Sequence, residues 1–234
     1  MAKLRTDGMR VLRVQLQDDG PLDPENVKLW RALGFKVWGA VRPSNQPLHN
    51  GTWTPHEAAE FFRDEKLRMI RAGTNLAGAD WNFEREVRDA DNATTPHGQW
   101  SAQFVPYFRS FCPTLPAHLD SVYGDFAGGI NNVYTPGIRF SVQTYWGAEG
   151  LWDDPPTNIV KWCAGAQPVI PKAVVKLLVR VVPNSAGQLP DWEAVFSDWK
   201  ASGLLGGSWY YIDGADFDLV RWLTREAIRR GCAY

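Results

Sequence analysis

Apolar runs of strand length alternate with amphipathic stretches of helical period along almost the whole chain, and this alternation narrows the possible folds sharply. The strand-like runs are 9–17 (MRVLRVQLQ), 35–41 (FKVWGAV), 80–86 (DWNFERE), 121–125 (SVYGD), 138–146 (IRFSVQTYW), 174–182 (VVKLLVRVV) and 209–213 (WYYID). An eighth can be drawn within 66–79, where LRMIRAGT reads equally well as the end of a helix. Between these runs, Asp23 caps a helix with Pro24 at its first position and Gly34 past its end. Thr54-Pro55-His56-Glu57 is a capping box that opens a second helix. Helices are also expected over 100–111, where Pro106 warns of a break, around Asn158–Ala164, over 191–202, and after Asp216 as N-cap.

Such alternation leaves a closed (β/α) barrel or an open doubly wound sheet. No GxGxxG or GxxxxGK[ST] follows the first strand, as a nucleotide-binding open sheet prefers, and polar residues end the strands throughout the chain. Both observations favour an α/β fold of the (β/α) TIM-barrel type with seven or eight parallel strands. The 234 residues suit one such domain, 1–234.

Charge and cysteine usage exclude several function classes. Formal net charge is −1 and the basic residues are scattered, so no nucleic-acid partner is expected. Three widely spaced cysteines without a CxxC read as reduced thiols. The histidines show no HxxxH or HExxH spacing, so neither a metal nor a cofactor is expected. No signal-peptide pattern opens the chain and no apolar stretch approaches membrane-spanning length, so no membrane insertion is expected.

Twelve tryptophans are unusual for this length. Trp53, Trp81, Trp100, Trp146, Trp152 and Trp209 fall at expected loops or strand ends, where flat rings suit sugars and protein partners alike. In a barrel the loops after each strand build the site. The last residues of each strand therefore supply candidates: Gln15, Gln17, Arg42, Asn82, Glu84, Glu86, Asp125, Gln143, Tyr145 and Asp213. Asn82, Glu84 and Glu86 share one face of their strand, while Trp81, Phe83 and Arg85 point the other way, under the helices. An acid at an aromatic-walled barrel mouth has the raised pKa that a general acid for glycosidic cleavage needs. Alternatively, Glu84 or Glu86 pairs with an inner arginine such as Arg13, Arg71 or Arg139 and only holds the barrel together. A second carboxylate for hydrolysis is offered by Asp125 or Asp213, both also suited to turns. Gln143 and Tyr145 could hydrogen-bond a sugar, with Trp146 and Trp209 beside them.

The order of WNFERE, VQTYW and WYYID resembles the barrels of glycoside hydrolase family 25 lysozymes, and more closely their relatives among minor tail proteins of actinobacterial phages. That family carries Asp-x-Glu on a strand with the Glu as proton donor; here the stretch is Asn82-Phe83-Glu84, which keeps the Glu and replaces the Asp. The family's first-strand Asp is matched by Gln15 and Gln17. The resemblance implies a tail-tip protein that recognises cell-wall or cell-surface polysaccharide, with other tail proteins as partners and the virion as its location, otherwise the cytoplasm. An active muramidase using Glu84 and a purely structural docking module are the competing expectations.

Overall fold

The computed structural model describes residues 1–15, 22–41, 53–81, 97–121, 130–144, 155–166, 169–172, 175–180, 189–204, 206–210 and 216–232. Seven strands follow one another in chain order in one sheet: β1 (Val11–Gln15), β2 (Lys36–Val41), β3 (Gly78–Trp81), β4 (Ala117–Ser121), β5 (Ile138–Thr144), β6 (Val175–Arg180) and β7 (Gly206–Tyr210). The pairings of β1 with β2, β2 with β3, β3 with β4, β5 with β6 and β6 with β7 are all parallel. Parallel neighbours need crossovers of one hand, so strict chain order puts every connecting helix on the same face of the sheet. That is the connectivity of a (β/α) barrel.

Contacts divide the chain into two compact units, one chiefly Arg10–Leu119 and the other chiefly Arg139–Tyr234 with Ala2–Met9. In the first, α2 (Pro24–Ala32) is capped by Asp23, as its sequence predicts. The capping box of α3 (Pro55–Arg71) is closed in both directions: the Glu57 amide donates to Thr54 Oγ1 at 3.2 Å, and the Thr54 amide donates to Glu57 Oε2 at 2.8 Å. This helix runs through Arg71, and β3 begins only at Gly78, so residues 66–79 contribute no extra strand. Helix α4 (His97–Phe111) continues through Pro106. Pro106 lies on the exposed side, where the carbonyl deprived of its donor can meet water.

The core of this unit is a run of rings. Phe104 is fully buried and meets Trp81 at 4.9 Å, Trp100 at 5.2 Å and Phe108 at 5.5 Å between ring centres. Trp53 and Trp100 belong here too: both are buried, and the Trp100 indole donates to the Trp53 carbonyl at 3.0 Å. Phe104→Ala is expected to cost about 3–5 kcal/mol, read as a shift in urea midpoint.

Three strands start earlier than the sequence suggested, β3 at Gly78 rather than Asp80 being the first. β4 occupies Ala117–Ser121 rather than 121–125, because buried Ala117 and Leu119 alternate with His118 and Asp120. β7 starts at Gly206 rather than Trp209, and its glycine-rich opening has a packing reason. A Cβ at Gly207 would lie 2.0 Å from Trp199 Cζ2, so only a bare backbone fits under that indole.

The second unit also contains α1 (Ala2–Thr6), α5 (Pro155–Ala166), α6 (Trp192–Ser202) and α7 (Phe217–Arg229), the last capped by Asp216 as expected. Ion pairs tie α7 to its neighbours. Arg221 and Arg225 reach Asp7 at 2.6 and 3.1 Å, and Arg230 grips both oxygens of Glu193 at 2.6 Å each. Burial raises the Asp7 carboxyl, but the hydrogen bonds from Arg221 and Arg225 outweigh it and lower the group overall. The hydrogen bond from Arg229 brings Glu226 down to about 2, with burial opposing and Arg230 adding to the drop. Carboxyls depressed in the folded state stabilise it above their unfolded values and lose that contribution as pH falls. Stability is therefore expected to decline from about pH 4.3 towards pH 2, and Glu226→Gln to flatten that decline in pH-dependent denaturation.

Candidate functional site

Strand register decides which side chains share the face away from the helices. The Trp81 indole donates to Ser101 on α4 at 3.0 Å, which marks the side of β3 covered by that helix. Trp81 is paired with Val41, and Ala79 with Gly39 and Ala117, so these positions share the helix side. The alternate positions form the opposite face. There Arg13, Trp38 and Gly78 stand at one level, and Gln15, Ala40, Asp80 and His118 at the next.

Three of these residues form a buried polar cluster. Asp80 and His118 are each 1% exposed. Arg13 Nη1 lies 2.8 Å from Asp80 Oδ2, and Arg13 Nη2 lies 3.0 Å from His118 Nε2. A guanidinium can only donate, so Nε2 is the accepting nitrogen and the ring proton of the neutral imidazole sits on Nδ1. That nitrogen lies 3.3 Å from Asp80 Oδ2. Asp120 follows two positions along the same strand, and one ligand atom from each of Asp80, His118 and Asp120 falls within 4.8 Å of the others.

Carboxylate and imidazole donors suit a divalent cation. Arg13 argues against one, because its guanidinium already contacts two of the three, Asp80 and His118. The cluster is better described as a buried polar group, its Arg13–Asp80 pair balanced in charge, that links β1, β3 and β4.

Trp38 stands beside it. Its indole is half-buried and lies across Gly78, where a Cβ would come within 2.4 Å of Cδ2 and Cε2. It meets the His118 ring edge-on at 6.3 Å between centres. The Trp38 Nε1–H is buried and has no hydrogen-bond partner among the described residues. An indole N–H left so costs about 1–3 kcal/mol unless a water or ligand satisfies it.

The expected site residues divide into three groups. Gln143 lies on β5 in register with Leu178. Trp209 packs among the helices: its indole donates to Thr224 on α7 at 3.0 Å and meets Trp199 on α6 edge-on at 5.6 Å. Asn82, Glu84, Glu86, Asp125, Tyr145, Trp146 and Asp213 lie outside the described residues, as do Gln17, Arg42 and Trp152. Of the inner arginines considered, Arg13 has an acidic partner, Asp80, while Arg71 and Arg139 are exposed. Asp80, His118 and Trp38 were missed. The usable signal was alternation: 78 and 80 share one parity on β3, and 118 and 120 share one on β4.

No family model matches the chain, and no curated protein sequence matches it. Solved structures do. A GH18 chitinase from Pseudoalteromonas aurantia aligns with TM-score 0.64 at 14% identity, covering 96% of this chain and 95% of the chitinase. A β-mannanase from Thermomonospora fusca in complex with mannohexaose aligns with TM-score 0.61 at 14% identity, covering 95% and 75%. An L-ribulose 3-epimerase aligns with TM-score 0.54 at 11% identity, covering 97% and 85%. The chain has an α/β fold of the TIM-barrel type, of the kind used by chitinases and mannanases. At these identities the likeness concerns the fold, and fold alone does not assign a reaction.

Arg13→Met strands a buried carboxylate and is expected to lower stability by about 3 kcal/mol. Adding Asp80→Leu removes the stranded charge and should recover most of that loss in urea denaturation. Equal stability of the single and double variants would show that the two side chains are not coupled.

Proposed function

We propose that this chain is a glycosidase-like barrel that recognises cell-wall or cell-surface polysaccharide, and that it does so at the tip of a phage tail. The observation that carries the polysaccharide reading is where the candidate residues fall relative to the strand ends. Glu84 follows the last residue of β3, Trp81, by three positions. Asp125 follows Ser121 of β4 by four, Tyr145 and Trp146 follow Thr144 of β5 by one and two, and Asp213 follows Tyr210 of β7 by three. Barrel enzymes build their sites from the segments that leave the C-terminal ends of the strands. The barrel likeness to a chitinase and to a mannanase that holds mannohexaose supports a glycan as ligand. The tail location rests on the sequence resemblance alone.

Recognition and turnover are separable here. Glu84 is retained from the family 25 pattern as a general acid, whereas the acid two positions before it is replaced by Asn82. Loss of one catalytic group costs about 10²–10⁴-fold in rate and leaves a sugar-shaped cleft intact.

Purified protein is expected to co-sediment with insoluble actinobacterial cell-wall polysaccharide, and Trp146→Ala to weaken this at least about tenfold, the loss of one stacked ring. Absence of co-sedimentation with either protein removes the reading. Reducing ends released by the wild type and abolished in Glu84→Gln would identify the chain as a hydrolase; binding without release would identify it as a lectin-like barrel.

A further inference from the structure

We propose that Trp38, with Arg13, Asp80 and His118 beside it, forms a subsite for one neutral pyranose unit of the glycan; the inference rests on the polysaccharide reading above. A sugar site needs an apolar plane for the ring's C–H face and a few fixed polar groups for its hydroxyls. On the face of the sheet away from the helices Trp38 supplies the plane and Arg13, whose side chain is 21% exposed, the polar group a sugar can reach, held in place by buried Asp80 and His118. The Trp38 indole is set by its contact with Gly78 and by the edge of His118, yet it keeps part of its surface open. Its buried Nε1–H lacks a partner among the described residues and is a donor that a sugar hydroxyl or an ordered water can satisfy. The polar members come from three strands in parallel register, so their positions are fixed by backbone pairing rather than by a loop.

The charge balance selects the class of sugar. The Arg13 guanidinium is engaged by Asp80 at 2.8 Å, and His118 presents its accepting nitrogen to the same guanidinium. A uronate carboxylate brought here would approach the Asp80 carboxylate with no spare cation in the cluster to answer it. A neutral pyranose brings hydroxyls that both donate and accept, and no charge to desolvate.

The test uses wild-type protein carrying ¹⁵N-labelled indoles, titrated with mannohexaose, chitohexaose and hexagalacturonate at constant ionic strength. The Trp38 signal is identified by its absence from Trp38→Phe. The expected result is movement of that signal with at least one neutral hexasaccharide and none with hexagalacturonate. Trp38→Ala should weaken binding of that hexasaccharide at least tenfold and Trp38→Phe less. Should Trp38→Ala fail to fold, the wild-type signal and Trp38→Phe decide alone. Neutral binding with a still Trp38 signal and unchanged affinity in Trp38→Phe overturns the subsite while leaving the polysaccharide reading in place. Co-sedimentation with cell-wall polysaccharide, but no Trp38 response to any hexasaccharide, overturns it likewise. Movement of the signal with hexagalacturonate overturns the neutral class. Absence of binding to every glycan, cell-wall polysaccharide included, removes the reading and the subsite together.

Discussion

The Asp80 carboxylate is almost wholly removed from water, and its neighbours on the inner face are arranged around that charge. Its counter-ion comes from β1, two strands away. Adjacent strands lie about 4.8 Å apart, so Arg13 must reach across β2 to make the contact. Register makes this possible. Arg13 sits one level before Asp80, and the β2 residue level with Asp80 is Ala40, which puts only a methyl group there. A larger side chain at position 40 would compete with the guanidinium for the same space.

The same alternation that turns Asp80 inward turns Trp81 outward, and this division underlies the packing of the first unit. Trp81, Phe104, Trp100 and Phe108 fill the layer between sheet and helix with rings that pack closely and lose little rotamer freedom. The sequence showed this layer plainly as period-two strands and a ring-rich helix. It was less clear about which tryptophans were surplus to the core. Trp53 and Trp100 lie next to turns and so looked available, yet both are buried, whereas Trp81 is buried under the helix as its strand parity predicts. Trp38 lies mid-strand in an apolar run and was not among the candidates, yet it stands on the inner face. Position along a strand was a poor guide; parity relative to a neighbour of known side would have been a better one.

The inner cluster was hard to read for a related physical reason. Glycosidase-like patterns direct attention to acids just beyond strand ends, whereas Asp80 lies within its strand and His118 near the start of its own. AHLDS has three polar residues in five, which makes it a weak strand by hydropathy although its apolar positions alternate regularly. Without register, Arg13, Asp80 and His118 are scattered over 105 residues of chain separation. Only strand pairing brings them together, and a single sequence does not state pairing.

A barrel of this kind serves chitinases, mannanases and an epimerase alike, so chemistry must come from what decorates the strand ends. The two sets of residues here differ in what holds them. Arg13, Trp38, Asp80 and His118 are fixed by parallel backbone pairing, and their geometry is insensitive to changes in the connecting segments. Glu84, Asp125, Tyr145 and Asp213 follow the last residues of their strands by one to four positions and take no part in the described pairing. On the proposed reading, substitution of an acid in the second set extinguishes turnover without altering the strand pairing that fixes the first. A chain with Glu84 but with Asn82 where the family 25 pattern has Asp would then keep its strand-borne sugar contacts whatever its hydrolytic capacity.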